Sequence, residues 1–394
     1  MKRLRQFISF IKFLFVYPVA MIFKIFIKNT WLVCEDRYEA RDNGYWLYKY
    51  IRENHRERIV HFAIDKKSPD YQKIKKLGFV VQYNSIMHWF WYILSSCNIS
   101  SQASGRPENG IAKHLEKFGI IKTKFCFLQH GVIINDLKWL YAYRNKIDWF
   151  LTSAQPEYDF IQNKFGYKKD QVKLLGLPRF DNLHDNITDK DEILFMPTWR
   201  TWIKSPDCTV MNSAGVLKSE NFEDSDYYKT INNLLKNKKL INLLKVHNKH
   251  LIFYPHRNMQ SFIDKFSCDS KYIKIARRDE YDVQQLLKRC SVLITDYSSV
   301  FMDVVYMQKP VLFYQFDEKK FRAGQYNEGY FNYHNNPYSL WADDSNKLIN
   351  NLELLLTRKD TINYNITDLF PLYDTNNCKR VYDSIASLTK RNKK

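Results

Sequence analysis

The sequence lacks most of the patterns that announce a small, self-contained site. Its seven cysteines (Cys34, Cys97, Cys126, Cys208, Cys268, Cys290 and Cys378) include no pair two residues apart, and their number is odd. That usage argues against a structural zinc site and against a disulfide framework, and it fits a reducing compartment. His247 and His250 have no cysteine or acidic ligand arranged around them, so no metal site is expected there. There is no GxxxxGK[ST] phosphate loop, no GxGxxG fingerprint and no GxSxG elbow. A carboxylate pair of the hydrolytic glycosidase kind is not evident, nor is a short-period repeat. Acidic residues are scarce relative to basic ones, 42 against 61, for a formal charge of +19. Such an excess attracts nucleic acid, phosphorylated substrates or an acidic lipid surface. No nucleic-acid-binding motif accompanies it, so nucleic acid is not an expected partner.

What is present is material for packed cores. Hydrophobic residues make up 45% and aromatics 16% of a 394-residue chain, enough for two domains of ordinary size. The first 28 residues, MKRLRQFISFIKFLFVYPVAMIFKIFIK, form a separate problem. The longest uncharged run, between Lys12 and Lys24, falls short of the roughly 20 residues of a transmembrane span. No small-residue cleavage site follows it, which disfavours a signal peptide. On a wheel of about 100° per residue, Lys2, Arg3, Arg5, Lys12, Lys24 and Lys28 fall within one half, opposite Phe, Ile and Leu. This pattern predicts an amphipathic helix lying in the lipid interface, interrupted or bent at Pro18. Packing of the same helix on the protein's own core is the alternative.

Beyond it, short apolar runs alternate with helical patterns. WLVCE (31–35), RIVHFAI (58–64), GFVVQY (78–83), NISSQ (98–102), FCFLQHG (125–131), DWFLTSA (148–154) and QVKLLGLPRF (171–180) read as strands. A polar, turn-rich stretch, DNLHDNITDKDE (181–192), reads as a linker. A second series follows: EILFMPTWR (192–200), HLIFYPHRN (250–258), KYIKIA (271–276), SVLITDYSS (291–299) and PVLFY (310–314). Residues 205–226 are polar and irregular, so a mobile surface loop is expected there. The Asp224-Ser225-Asp226 triplet in it reads as solvated surface. Repeated strand–helix–strand units predict parallel sheets covered on both faces.

Four of these strands run into chemically capable side chains. FCFL is followed by Gln129-His130-Gly131, ILFM by Pro197-Thr198-Trp199-Arg200, LIFY by Pro255-His256-Arg257-Asn258, and VLI by Thr295-Asp296-Tyr297-Ser298-Ser299. Ligands of parallel α/β sheets bind beyond the carboxyl ends of strands, so that edge is the candidate site. Each group has a plainer use: a lone Ser before VFMDVVYM caps the helix, Asp296 accepts in a turn, Thr-Trp-Arg packs at a hinge, His130 is satisfied in a core. Capping and anion binding are compatible, because a helix start presents N–H groups to a phosphate. Taken together, His130, Arg200, His256, Arg257 and the two serines form a phosphate-handling set.

At these residues the sequence resembles the CDP-glycerol glycerophosphotransferase family, which builds teichoic acids and related capsule polymers. The matching pieces are RDNGYWLYKYI, LQHG, GLPRFD, MPTWR, YPHRN and LITDYSSVFMDVVYMQKPVLFYQFD, across residues 31–320. The resemblance implies an α/β fold of the GT-B type, two Rossmann-like domains whose parallel sheets face a cleft. Expected boundaries are 1–29 for the membrane helix, 30–185 for an acceptor-side domain, and 186–394 for a donor domain with C-terminal helices. It implies transfer of glycerol phosphate or ribitol phosphate from CDP-glycerol or CDP-ribitol to a hydroxyl of a lipid-linked glycan or growing polymer, releasing CMP. By position, His130 corresponds to the essential histidine, a candidate general base, and His256 to a second histidine that contacts the donor phosphates. Ser298 and Ser299 match the pair that binds those phosphates. Thr198, Arg200, Arg257 and Asp296 complete the expected donor-phosphate and nucleotide set. Arg257 stands where the family usually has Pro, and FRAGQYNEGYFNYHNNP follows the family pattern loosely, which bears on donor polyol and acceptor fit. No cofactor is expected to be required, though Mg²⁺ can accompany the donor. A peripheral location on the cytoplasmic membrane face, held by anionic lipid, completes the expectation. The competing reading is a GT-B glycosyltransferase that uses a UDP- or CMP-sugar.

Overall fold

The computed structural model describes residues 2–185, 187–204, 219–357 and 364–390, with only the backbone of Lys2. Residues 205–218, most of the expected irregular loop, and Cys208 within them lie outside the described residues. Asp224 and Asp226 are on the surface. The chain divides into two compact units.

The first unit is built on strands β1 (Trp31–Val33), β2 (Val60–Ile64), β3 (Val80–Gln82), β4 (Cys97–Ser100), β5 (Lys124–Phe127), β6 (Trp149–Thr152) and β7 (Val172–Leu174). Over the described residues they form one sheet in the order β3-β2-β1-β4-β5-β6-β7, every pair parallel. Helices α1 (Lys2–Phe26), α2 (Asn43–Asn54), α3 (Tyr71–Leu77), α4 (Ile86–Leu94), α5 (Asn109–Lys117) and α6 (Gln155–Lys164) belong to it. β1, β2, β4 and β6 are buried along their whole length. That is why β1 and β6 read as apolar runs, whereas β4 also buries Asn98 and Ser100, which bond to Gly105 O and Gln102 O.

The second unit repeats the plan with β8 (Glu192–Met196), β9 (His250–Phe253), β10 (Ile273–Ile275), β11 (Val292–Thr295), β12 (Val311–Tyr314) and β13 (Ser339–Ala342). Their order, β10-β9-β8-β11-β12-β13, is again wholly parallel. In each sheet the first strand lies between its second and fourth, so the winding direction reverses at β1/β4 and at β8/β11. A crevice opens at the carboxyl ends of such a pair.

The helix α1 runs unbroken through Pro18 and does not stop there. Its inner stripe, Ser9, Phe13, Val16 and Ala20, is buried at i, i+4, i+7 and i+11 and packs with Trp89, Tyr92 and Ile93 of α4 and Ala112 and Leu115 of α5. Two lysines sit on this docked side. Lys12 Nζ donates to Asn84 O at 2.8 Å and Lys24 Nζ to Ile93 O at 2.7 Å. Opposite them, Leu4, Phe7, Ile8, Ile11, Leu14, Phe15, Val19, Ile22 and Phe26 are exposed. The packing alternative is therefore realised on one face of the helix, and the opposite face is apolar and exposed.

One boundary differs from expectation. Residues 367–390 group with the first unit, not the second, and residues 133–137 group with the second. Asp181 causes much of this: its carboxylate accepts from Asn377 N (2.8 Å), Asn377 Nδ2 (2.7 Å) and Cys378 N (2.9 Å), capping the helix Asn377–Lys390. Trp149 Nε1 donates to Ser384 Oγ at 3.0 Å, and Trp31 packs on Tyr382. Gly176, at φ +82°, leaves room for Asn377, because a Cβ there would meet Asn377 Oδ1 at 1.7 Å. Asp181→Ala should lower the stability of the first unit by about 2 kcal/mol, since charge-assisted bonds to a helix start are lost. Urea unfolding followed by tryptophan fluorescence checks this; an unchanged midpoint would show that the cap contributes nothing.

Candidate active site

In the first unit, β5 ends in a sharp turn. Gln129 takes the left-handed conformation, φ +63°, and is held by its buried side chain, which donates to Leu151 O. The turn throws the His130 side chain outward, 73% exposed. Its Nδ1 meets Asp42 Oδ2 at 2.5 Å. Asp42 is the N-cap of α2, and its Oδ1 accepts from Asn43 N at 2.8 Å. Arg179, nearly buried, donates through one nitrogen to both Asp42 Oδ1 (3.0 Å) and His130 O (2.8 Å). Asn43 Nδ2 holds the same turn by donating to Gln129 O at 2.9 Å. Burial alone would raise the Asp42 carboxyl, but His130 and then Arg179 outweigh it, and it is held below the ordinary carboxylate range.

One layer further in lies Glu35, directly after β1. Its Oε1 accepts from Gly44 N (2.7 Å), Tyr45 N (3.2 Å) and Ser101 Oγ (2.7 Å), so it pins the start of α2. Gly44 has to be glycine here, because a Cβ would sit 2.7 Å from that oxygen. Burial, and then the charge of Asp42, push the Glu35 carboxyl up to about 7 against the pull of its donors. Glu35, Asp42 and Ser101 thus gather where β1 and β4 part, and His130 follows the next strand.

In the second unit the switch pair is β8 and β11. Asp296, after β11, accepts from Thr198 N at 2.8 Å and Tyr297 N at 2.6 Å, tying the two strand ends together. Arg200 is fully buried. It pairs with Asp317 through Nε (2.7 Å) and Nη2 (3.0 Å), meets Asp296 Oδ2 at 2.9 Å, and donates to Thr198 O at 2.6 Å. Its guanidinium is spent on structure. Burial raises the Asp296 carboxyl, with Arg200 and Thr198 opposing. Thr198 Oγ1 is buried there without a hydrogen-bond partner among the described residues.

His256 follows β9, the other neighbour of β8. Its Nδ1 accepts from Asn258 N at 3.2 Å, which puts the ring proton on Nε2 and makes that edge a donor. Trp199 stacks on its ring. Arg257 is exposed, and Ser298 and Ser299 are half-buried. Ser298 Oγ accepts weakly from Val300 N at 3.4 Å, and the helix begins at Phe301. The structure therefore brings Thr198, Arg200, His256, Arg257, Asp296, Ser298 and Ser299 to one edge of the second sheet, and sets His130 on the corresponding edge of the first. Sequence reasoning left out Asp42, Arg179, Glu35 and Asp317. Asp42 carried a readable signal, an acidic residue directly before a helix. Arg179 lay inside the quoted GLPRFD.

The sequence profile of the CDP-glycerol:poly(glycerophosphate) glycerophosphotransferases matches residues 16–387. The chain belongs to this family. Among curated relatives, the minor teichoic acid biosynthesis protein GgaB of Bacillus subtilis is 32% identical over 387 residues, 96% of this chain. The teichoic acid glycerol-phosphate primase of the same organism is 27% identical over 48% of this chain. The chain spans 42% and 44% of the lengths of these two proteins. The solved structure of the wall teichoic acid polymerase TagF is similar with a TM-score of 0.65, at 17% identity and 99% coverage of both chains. A UDP-N-acetylglucosamine 2-epimerase gives 0.54 at 12% identity, over 93% of this chain and 98% of its own. These likenesses show the fold: two Rossmann-like α/β units of the GT-B-like class.

The pH dependence of Glu35 has a definite sign. A carboxyl that keeps its proton to about pH 7 in the fold, against an ordinary 4.5, costs stability as pH rises through that interval. Relative to Glu35→Gln, wild-type unfolding free energy should fall between those limits by on the order of 3 kcal/mol. Urea titrations at a series of pH values measure it, and a flat difference would mean that Glu35 ionises as it does in the open chain.

Proposed function

We propose that this chain transfers glycerol phosphate or ribitol phosphate from CDP-glycerol or CDP-ribitol to a hydroxyl of a growing, lipid-linked teichoic acid or capsule polymer, releasing CMP. The observation that carries this reading is the exposed imidazole of His130, with Nδ1 engaged by a carboxylate so that base chemistry is directed to Nε2. Family membership supports the reaction class. Relatives are named for teichoic acid synthesis, among them the ribitol-phosphate polymerase TarK of Staphylococcus aureus, and a TagF structure was obtained after soaking with CDPG.

In this reading the acceptor oxygen attacks the polyol-bearing phosphorus as its proton passes to His130 Nε2. The bond from that phosphorus to the bridging oxygen breaks, and CMP leaves with the electron pair. Negative charge on the phosphoryl oxygens is met by the Nε2–H of His256, by Arg257, and by the hydroxyls of Ser298, Ser299 and Thr198. Arg200 and Asp296 act from within, fixing the strand ends that carry those donors. Mg²⁺ can accompany the donor without being held by the protein.

His130→Ala should lower CMP release by ~10²–10⁴-fold while binding of CDP-glycerol persists. His256→Ala should instead raise the donor KM. Incubation with CDP-glycerol, CDP-ribitol and UDP-sugars, with product mass measurement, tests the class. UDP release without CMP release would replace it with a glycosyltransferase reaction.

We further propose that α1 holds the enzyme on the cytoplasmic membrane face by lying in the lipid interface. The helix Arg3–Phe26 is long and apolar enough to cross a bilayer by length and composition. Its inner face is occupied by α4 and α5, however, and its outer face carries only apolar side chains between Phe7 and Ile22, with Arg3, Arg5 and Lys28 exposed near its ends. Removing the helix would uncover Trp89, so substitution of the outer face is the sharper test. Phe7→Ser, Phe15→Ser and Ile22→Ser together should weaken binding to anionic vesicles at least ~100-fold without shifting the melting temperature. Equal sedimentation with vesicles before and after would overturn interfacial anchoring.

A further inference from the structure

Resting on the reading of His130 as base, we propose that Asp42, clamped by Arg179, is a positioning residue that fixes the His130 tautomer and ring orientation for proton abstraction. Asp42 Oδ2 lies against His130 Nδ1, and a carboxylate at that nitrogen requires it to carry the proton. The lone pair then belongs to Nε2. A histidine that is 73% exposed on a turn would otherwise sample several rotamers and both tautomers.

The carboxylate itself is held from three directions. Its backbone and cap belong to the start of α2, which Glu35 fixes through Gly44 N and Tyr45 N. Its second oxygen is held by Arg179, and the same Arg179 nitrogen grips the carbonyl of His130. Arg179 N in turn donates to Asn43 Oδ1 at 3.1 Å. One guanidinium therefore sets both ends of the His–Asp contact, the acid through its side chain and the base through its backbone. These contacts join side chains 88 and 137 positions apart, more than a simple helix cap requires. After proton transfer, the imidazolium faces an anion already in place, which stabilises the charge that forms.

The test uses the full-length protein with CDP-glycerol and the acceptor on which wild-type turnover is measured. Asn at 42 keeps the helix cap and the side-chain volume but places no anion against the ring. Asp42→Asn should lower kcat by ~10²-fold or more, with the donor KM within about threefold of wild type. The elements packed here bring Asp42, Arg179 and, behind them, Glu35 toward the ring. Removing the Asp42 anion destabilises the imidazolium, so the acid limb of kcat/KM should move to lower pH by on the order of one unit. Asp42→Glu should recover part of the loss. Arg179→Gln, which frees the carboxylate without removing it, should give a smaller fall in kcat and a limb displaced toward higher pH. Three results would overturn the proposal. One is Asp42→Asn turnover within threefold of wild type beside an inactive His130→Ala. Another is a loss matched by a fall in melting temperature with the pH profile unmoved. Normal turnover in His130→Ala would remove the base assignment itself, and this inference with it.

Discussion

A parallel sheet whose winding reverses leaves two strand ends side by side, and the polar backbone exposed there has to be satisfied by something other than the next helix. Both units meet this constraint with buried carboxylates. After β1, Glu35 gathers the first N–H groups of α2 and the hydroxyl of Ser101. After β11, Asp296 gathers the N–H groups of Thr198 and Tyr297. The candidate chemistry stands on these two anchors, since the residues that follow them in space are the ones the sequence marks as reactive.

The anchors differ in how their charge is balanced. Asp296 shares Arg200 with Asp317; Arg200 and Asp296 are buried, and Asp317 is nearly so. Such a cluster contributes little net stability once desolvation is counted, but losing one member is costly, because the remaining charges are left uncompensated. Among the described residues no cation pairs with Glu35, and it holds its proton to about pH 7. The Asp42 charge close by is compensated by His130 and Arg179 and remains ionised. Two carboxyls a few residues apart are thus driven in opposite directions by their surroundings.

The alternation of apolar runs with helical patterns was enough to place twelve of the thirteen strands among the described residues, because most of them are short apolar segments bounded by turn residues. β13 was missed: its apolar run, Leu340-Trp341-Ala342, is short and three of its four residues are only half-buried. The polar strand ends were legible as a group, but not what each side chain does. Arg200 and Arg257 look alike in sequence, yet one is enclosed by carboxylates and the other is exposed. Asp42 was legible as a helix start, but its partner lies 88 residues away, a pairing that local pattern cannot reveal. The ownership of the C-terminal helix was likewise hidden, since adjacency in sequence favoured the second unit while Asp181 drew it to the first.

That helix has a consequence for how the protein is made. The first unit takes residues from both sides of the second in sequence, so a ribosome must release the whole of the second unit before Asn377–Lys390 can reach Asp181, Trp149 and Trp31. At elongation rates of about 5–20 residues per second, the nascent first unit waits on the order of ten seconds or more with that flank uncovered. During the same interval the apolar face of α1 has already emerged. The first unit therefore carries two uncovered apolar surfaces at once, the outer face of α1 and the flank that Asn377–Lys390 later closes.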